Sequence, residues 1–126
     1  MKDIITYINE SNANNTIFNA CMELDNNENI YKTQYWPLVQ NLVKKHKSGN
    51  FNIETLENSS SVSKLASTTL KAAKAGTLSS EDRKRLYKFI VGNLLKTISN
   101  EGEELTKNEE DYMIEWDYNN SDKCGW

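Results

Sequence analysis

The sequence predicts an all-α protein: a small orthogonal helical bundle of five to six helices, three of them substantial, with an acidic, partly extended C-terminal segment. Three observations carry that prediction. Apolar residues recur at i, i+3, i+4, i+7 and beyond in three stretches: Tyr35, Leu38, Val39, Leu42, Val43 and His46; Val62, Leu65, Ala66, Thr69, Leu70 and Ala73; and Tyr87, Ile90, Val91, Leu94 and Ile98. The lone proline, Pro37, falls at the head of the first stretch, and Gly49 and Gly76 follow the ends of the first and second. Two-residue alternation occurs only late, where Tyr112, Ile114 and Trp116 interleave with Met113, Glu115 and Asp117.

Taken in order, residues 1–10 carry Ile4, Ile5 and Ile8 on one short face and read as a helix of about two turns. The polar run at residues 11–14 reads as a turn. Asn15 then caps a second short helix that buries Ile17, Phe18, Cys21 and Met22. Residues 25–29, DNNEN, read as an exposed loop. Residues 31–50 are the stretch around which the remainder is expected to be organised, because they join a strict apolar period to Tyr31, Tyr35 and Trp36 and to a basic exit at Lys44, Lys45 and Lys47. The helix should begin at Tyr35 or Trp36, where a proline in the first turn loses no hydrogen bond, and stop at Gly49.

Beyond it, Asn52 reads as an N-cap with Phe51 and Leu56 spaced as a hydrophobic staple. Ser59, Ser60 and Ser61 offer caps for the second long helix, which Gly76 ends. Ser79 or Ser80, with Glu81 and Asp82 in the first turn, starts the third. Gly92 inside that helix costs about 1 kcal/mol relative to alanine, which points to close packing against a neighbour. Residues 1–100 form the expected helical domain and residues 101–126 an acidic, aromatic extension, docked as a strand or frayed.

Charge separates the chain further than its net of −3 suggests. Residues 1–30 carry −4, residues 31–100 carry +8 and residues 101–126 carry −7, so a basic middle lies between acidic ends. No apolar run approaches the roughly 18 residues of a membrane span, and no secretory signal opens the chain, so a cytoplasmic protein without membrane contact is expected. Cys21 and Cys124 sit far apart without CxxC spacing, and reduced thiols are the default, with a disulfide left open.

Catalytic machinery is not legible. His46 is the single histidine and lies on an apolar seam, where a satisfied core or boundary histidine is expected rather than a base. A zinc site would have to draw on scattered carboxylates or the two distant cysteines. No GxGxxG, Walker-type loop or GxSxG occurs. The chain is therefore expected to be no enzyme, and no cofactor, metal or catalytic residue is assigned.

Two binding roles are weighed instead. In the favoured one, tail aromatics Tyr112, Trp116, Tyr118 and Trp126 anchor a protein partner, since Tyr and Trp bring large contact area at small entropic cost. Tyr35 and Trp36 are read as core. In the alternative, Lys44, Lys45, Lys47, Lys71, Lys74, Arg83, Lys84, Arg85 and Lys88 form a nucleic-acid patch. A helix-turn-helix register pivoted on Gly76 fails, because it puts Asp82 where the recognition helix must be apolar.

The string YWPLVQNLVKKHKSGNFN carries Tyr35, Trp36, Asn41, Leu42, Lys44, Lys45, Gly49, Phe51 and Asn52 in an order that resembles a segment of small uncharacterised helical proteins of tailed phages and related mobile elements. KLASTTLKAAKAG and SSEDRKRLYKFIV, which follow, are similar to the same group. The resemblance spans residues 31–91 and brings no activity with it. It implies a phage or mobile-element setting only. The expected function is that of a non-catalytic binding protein in the bacterial cytoplasm that engages a host or phage protein, inhibition of a host defence system being one way to act; the alternative is a nucleic-acid-binding accessory protein using residues 44–88, or a minor virion component.

Overall fold

A computed structural model describes the backbone of residues 4–118 and the side chains of residues 15–116; Trp126 and the Tyr118 side chain lie outside the described residues. The all-α expectation holds. The described residues form α1 (Ile4–Asn26), α2 (Glu28–Ile30), a π-helical segment (Tyr31–Tyr35), α3 (Trp36–Lys47), α4 (Ile53–Glu57), α5 (Ser60–Ala72), α6 (Ser80–Asn100), α7 (Lys107–Met113) and a second π-helical segment (Ile114–Tyr118).

The two expected N-terminal helices are one. α1 runs through residues 11–14 without interruption, because Ser, Asn and Ala there cost at most about 0.7 kcal/mol apiece in a helix and none is Gly or Pro. Its later half buries Ile17, Ala20, Cys21 and Leu24, again at i, i+3, i+4 and i+7. The DNNEN loop shrinks to one residue. Asn27 leaves the helical region, and its side-chain oxygen accepts the Ile30 N–H (3.1 Å), so it caps the next helix.

From Glu28 the chain stays helical to Lys47, and the expected start of α3 at Trp36 is a change of helix type rather than a beginning. The dihedrals at Ile30, Tyr31, Tyr35 and Trp36 are all right-handed helical, and the Trp36 N–H reaches back five residues to the Tyr31 carbonyl. Pro37 explains the widened turn: it has no N–H to donate, and its ring would collide with the carbonyl four residues earlier in a regular α-helix. One π turn relieves that clash without ending the helix. Tyr35, at the end of this turn, is buried, and its hydroxyl donates to the Asn93 side-chain oxygen and lies 2.5 Å from the Thr97 hydroxyl.

Three helices end in the same way. After α3, the Asn50 N–H bonds the Lys45 carbonyl (2.9 Å) and the Gly49 N–H bonds that of His46 (3.2 Å), with Gly49 at φ +77°. After α6, Glu103 and Gly102 repeat this pairing onto Ile98 and Ser99, with Gly102 at φ +99°. After α5 the left-handed residue is Lys74, φ +53°, and not Gly76; Ala75 bonds Leu70 and Lys74 bonds Lys71, both at 3.0 Å. The stop lies two residues earlier than expected because the apolar stripe ends at Leu70, and a lysine carries the strain of the left-handed turn.

The core centres on α6 rather than on residues 31–50. α6 buries Leu86, Phe89, Ile90, Val91, Gly92, Leu94, Leu95 and Ile98, whereas α3 buries only Val39 and Leu42. It packs against α1, α3, α4, α5, α7 and the second π segment, so apolar residues are needed on most of its circumference. The alternation at residues 112–117, which leaves a docked strand, an extended segment or a frayed tail open, forms none of these: the residues are helical. A capping box at Thr106 and Glu109 starts a helix there, and the alternation is too short to outweigh it. In the described part of the acidic segment, residues 103–106 lie outside any helix and Thr106 is extended. α6 ends at Asn100, as expected, but Leu105, Tyr112, Met113 and Trp116 pack on the same core as the helices before it.

Candidate functional site

The sequence places His46 on the last turn of α3 and makes it half apolar seam, half helix end. The structure closes it between two carboxylates. Its Nδ1 lies 2.9 Å from Glu103 Oε1 and its Nε2 lies 2.8 Å from Glu109 Oε1, while Phe51 meets the ring edge-on at 5.4 Å. Both carboxylates accept, so both ring nitrogens must donate, and the bonded form is the imidazolium. Burial pulls the imidazole pKa down, but the hydrogen bonds and negative charge of Glu109 and Glu103 outweigh it and hold His46 above its ordinary 6.5. The same Glu109 oxygen accepts the Thr106 N–H (2.9 Å), so one buried carboxylate both starts α7 and fastens it to α3. Because each ring nitrogen is spent on a carboxylate at direct bonding distance, the trio does not converge on a metal ion. Among the described residues, no group of three His, Cys, Asp or Glu does.

A second polar cluster fastens Tyr112 of α7 and Trp116 of the second π-helical segment. Glu57 of α4 accepts from Lys88 (2.9 Å) with one oxygen and from the Tyr112 hydroxyl (3.0 Å) with the other. Trp116 sits edge-to-face on Phe89 at 5.7 Å, and the Lys88 ammonium lies 5.5 Å from its ring centre. Burial, then the charge of Glu57, push the Tyr112 phenol far above its ordinary pKa. Of the aromatics singled out for protein binding, Tyr112 and Trp116 therefore face inward and are half-buried.

The basic residues divide. Lys88 is committed to Glu57, Arg85 bonds Asp82 at 3.0 Å, and Lys47 lies 3.9 Å from Glu103. Lys44, Lys45, Lys71, Lys74 and Lys84 are exposed and Arg83 is half-buried. Tyr35 and Trp36 belong to the core, as expected.

Sequence reading missed the cleft in which Lys45 takes part. A cavity of about 460 Å³ opens between the helical run from Thr33 to Lys45 and the opposite wall made by residues 50–64. Its floor is Leu42 and Leu56, with Leu38, Pro37 and Phe51 beside them; its walls offer the amides of Gln34, Asn41, Asn50 and Asn52, the hydroxyls of Thr33, Thr55, Ser59 and Ser61, and the ammonium groups of Lys45 and Lys64. The signal was present but divided between elements: Pro37 with its widened turn supplies one end, and the Asn52 and Ser59 caps that start α4 and α5 supply the other.

The chain matches no protein-family model, no curated protein and no solved structure.

Proposed function

We propose that the protein is a non-catalytic binding protein of phage or mobile-element origin that engages a host or phage protein, and that the cleft between α3 and α4–α5 is where it does so. The observation that supports this reading is the contrast between the cleft and the remaining polar groups. His46, Glu57, Lys88, Glu103, Glu109 and Tyr112 are consumed in holding the fold. Lys45 and Lys64, by contrast, have no carboxylate partner among the described residues, although they border a concave, partly apolar surface of ligand-binding size. A π turn at its edge adds to the case, since such turns recur at functional sites. The phage setting rests on the resemblance of residues 31–91, and inhibition of a host defence system or a place in the virion are the roles that fit it.

The test begins with capture of the tagged protein's partners from infected bacterial cells, identified by mass spectrometry. The purified partner is then titrated calorimetrically against the wild type and Lys45→Glu. The reading expects at least a tenfold loss of affinity in the variant at unchanged melting temperature. Equal affinity for both proteins would move the binding surface elsewhere.

A further inference from the structure

We propose that the cleft between α3 and α4–α5 takes an extended, acidic peptide segment carrying one apolar anchor; this rests on the reading of the cleft as the binding surface. Three features of the site select that ligand. The first is charge. One residue in seven of the chain is acidic, yet none of the fifteen described residues lining the cleft is, and the two charged ones among them are Lys45 and Lys64. A carboxylate entering there meets cations and no competing acid.

Shape is the second feature. The wall from Thr33 to Lys45 covers twelve residues of helical rise, about 18 Å at 1.5 Å each, which is longer than a compact small molecule and matches five or six residues of extended chain at about 3.3 Å. The third is the kind of polar group on the walls. The Asn41 side chain has no hydrogen-bond partner among the described residues, and Gln34 accepts from Thr68 through its oxygen (3.1 Å), which leaves its NH2 unused. Side-chain amides supply the donor and acceptor pairs that an extended main chain lacks and that a helix already satisfies internally. The apolar floor then takes a single leucine- or phenylalanine-sized side chain between the flanking acids. A nucleic-acid strand fits less well, because among the described residues Phe51 is the only aromatic ring lining the cleft, and two lysines are few for a phosphate track.

Fluorescence anisotropy on the full chain decides the matter, with labelled hexapeptides of Asp and Glu around one Leu or Phe, the same peptides with Lys replacing the acids, and a ten-nucleotide oligothymidylate. The acidic peptides should bind at micromolar level and weaken as salt rises. The lysine versions should bind at least tenfold more weakly. Lys45→Ala with Lys64→Ala should lose the acidic peptides at unchanged melting temperature, both lysines being exposed, and Asn41→Ala should weaken them severalfold. Equal binding of acidic and lysine peptides, tighter binding of the oligonucleotide, or no binding of any acidic peptide would overturn this ligand assignment. If Lys45→Glu still abolished capture of the cellular partner in that last case, the cleft would remain the binding surface and only the ligand class would fall.

Discussion

Replacing His46 with glutamine tests the clamp that joins α3 to the acidic segment. Glutamine keeps a hydrogen-bonding side chain of similar reach but removes the positive charge, so Glu103 and Glu109 lose the cation between them. The two bonds lost or weakened are charge-assisted, each worth roughly 1.5–3 kcal/mol, and glutamine can restore part of one. A net loss of about 2–4 kcal/mol follows, or about 8–16 °C at roughly 4 °C per kcal/mol for a chain of this size. The pH dependence has a definite sign. The pKa of His46 is raised by folding, so its contribution is fully present below the unfolded value of about 6.5 and declines as pH rises through the higher folded value. The neutral ring then has one N–H for two carboxylates. Thermal melts of wild type and His46→Gln at several pH values from 6 to 9 should therefore converge as pH rises. A melting-temperature difference independent of pH would refute the imidazolium assignment, and no difference at pH 6 would refute the clamp itself.

Five further outcomes are expected. Lys74→Gly removes a side chain from a left-handed position and should raise stability by about 0.5–1 kcal/mol, seen as a melting point a few degrees higher. Leu42→Ala should cost about 2–5 kcal/mol, because Leu42 is buried on α3 and floors the cleft; a shift under one degree would contradict its placement. Tyr112→Phe should cost about 1 kcal/mol through the lost bond to Glu57, and Trp116→Ala about 2 kcal/mol through lost contact with Phe89 and Lys88, both readable in urea titrations. Raising NaCl from 0.1 to 1 M should leave the difference between wild type and His46→Gln largely intact at pH 6, since partly buried pairs in direct contact are screened much less than exposed ones.

The helices were legible where a strict apolar period met a cap. Asn52, Ser59 and Ser79 cap as their side chains dictate, accepting the N–H groups of Thr55, Val62 and Asp82. Errors arose where weak local preferences were read as commands. Asparagine and serine at residues 11–14 only mildly disfavour helix, and tertiary packing of Ile17, Ala20, Cys21 and Leu24 holds α1 together beyond them. Pro37 suggested a helix start because the alternative, a π turn that absorbs the proline, has no distinct periodicity. The central role of α6 was under-read because Leu86, Phe89 and Leu95 lie off the single stripe that period-counting rewards. For the acidic segment a usable signal existed: Thr106 followed three residues later by Glu109 is a capping box, and it outranks the brief alternation behind it. What no local pattern could show is that this same glutamate reaches His46, sixty-three positions earlier in the chain.

The charge asymmetry of the sequence acquires a different meaning once distances are known. Spread over tens of residues, +8 against −7 suggests a diffuse attraction. Two unit charges 10 Å apart in water gain only about 0.4 kcal/mol, and salt screens most of that. At 2.8 Å with an effective dielectric near 20, the gross interaction is about 6 kcal/mol before desolvation is subtracted. A few close contacts therefore outweigh the whole diffuse field, and Glu103 and Glu109 are brought directly onto the half-buried His46. Docking of the segment is accordingly specific in position. The surplus lysines of the middle region contribute little to it, which leaves Lys45 and Lys64 available at the cleft.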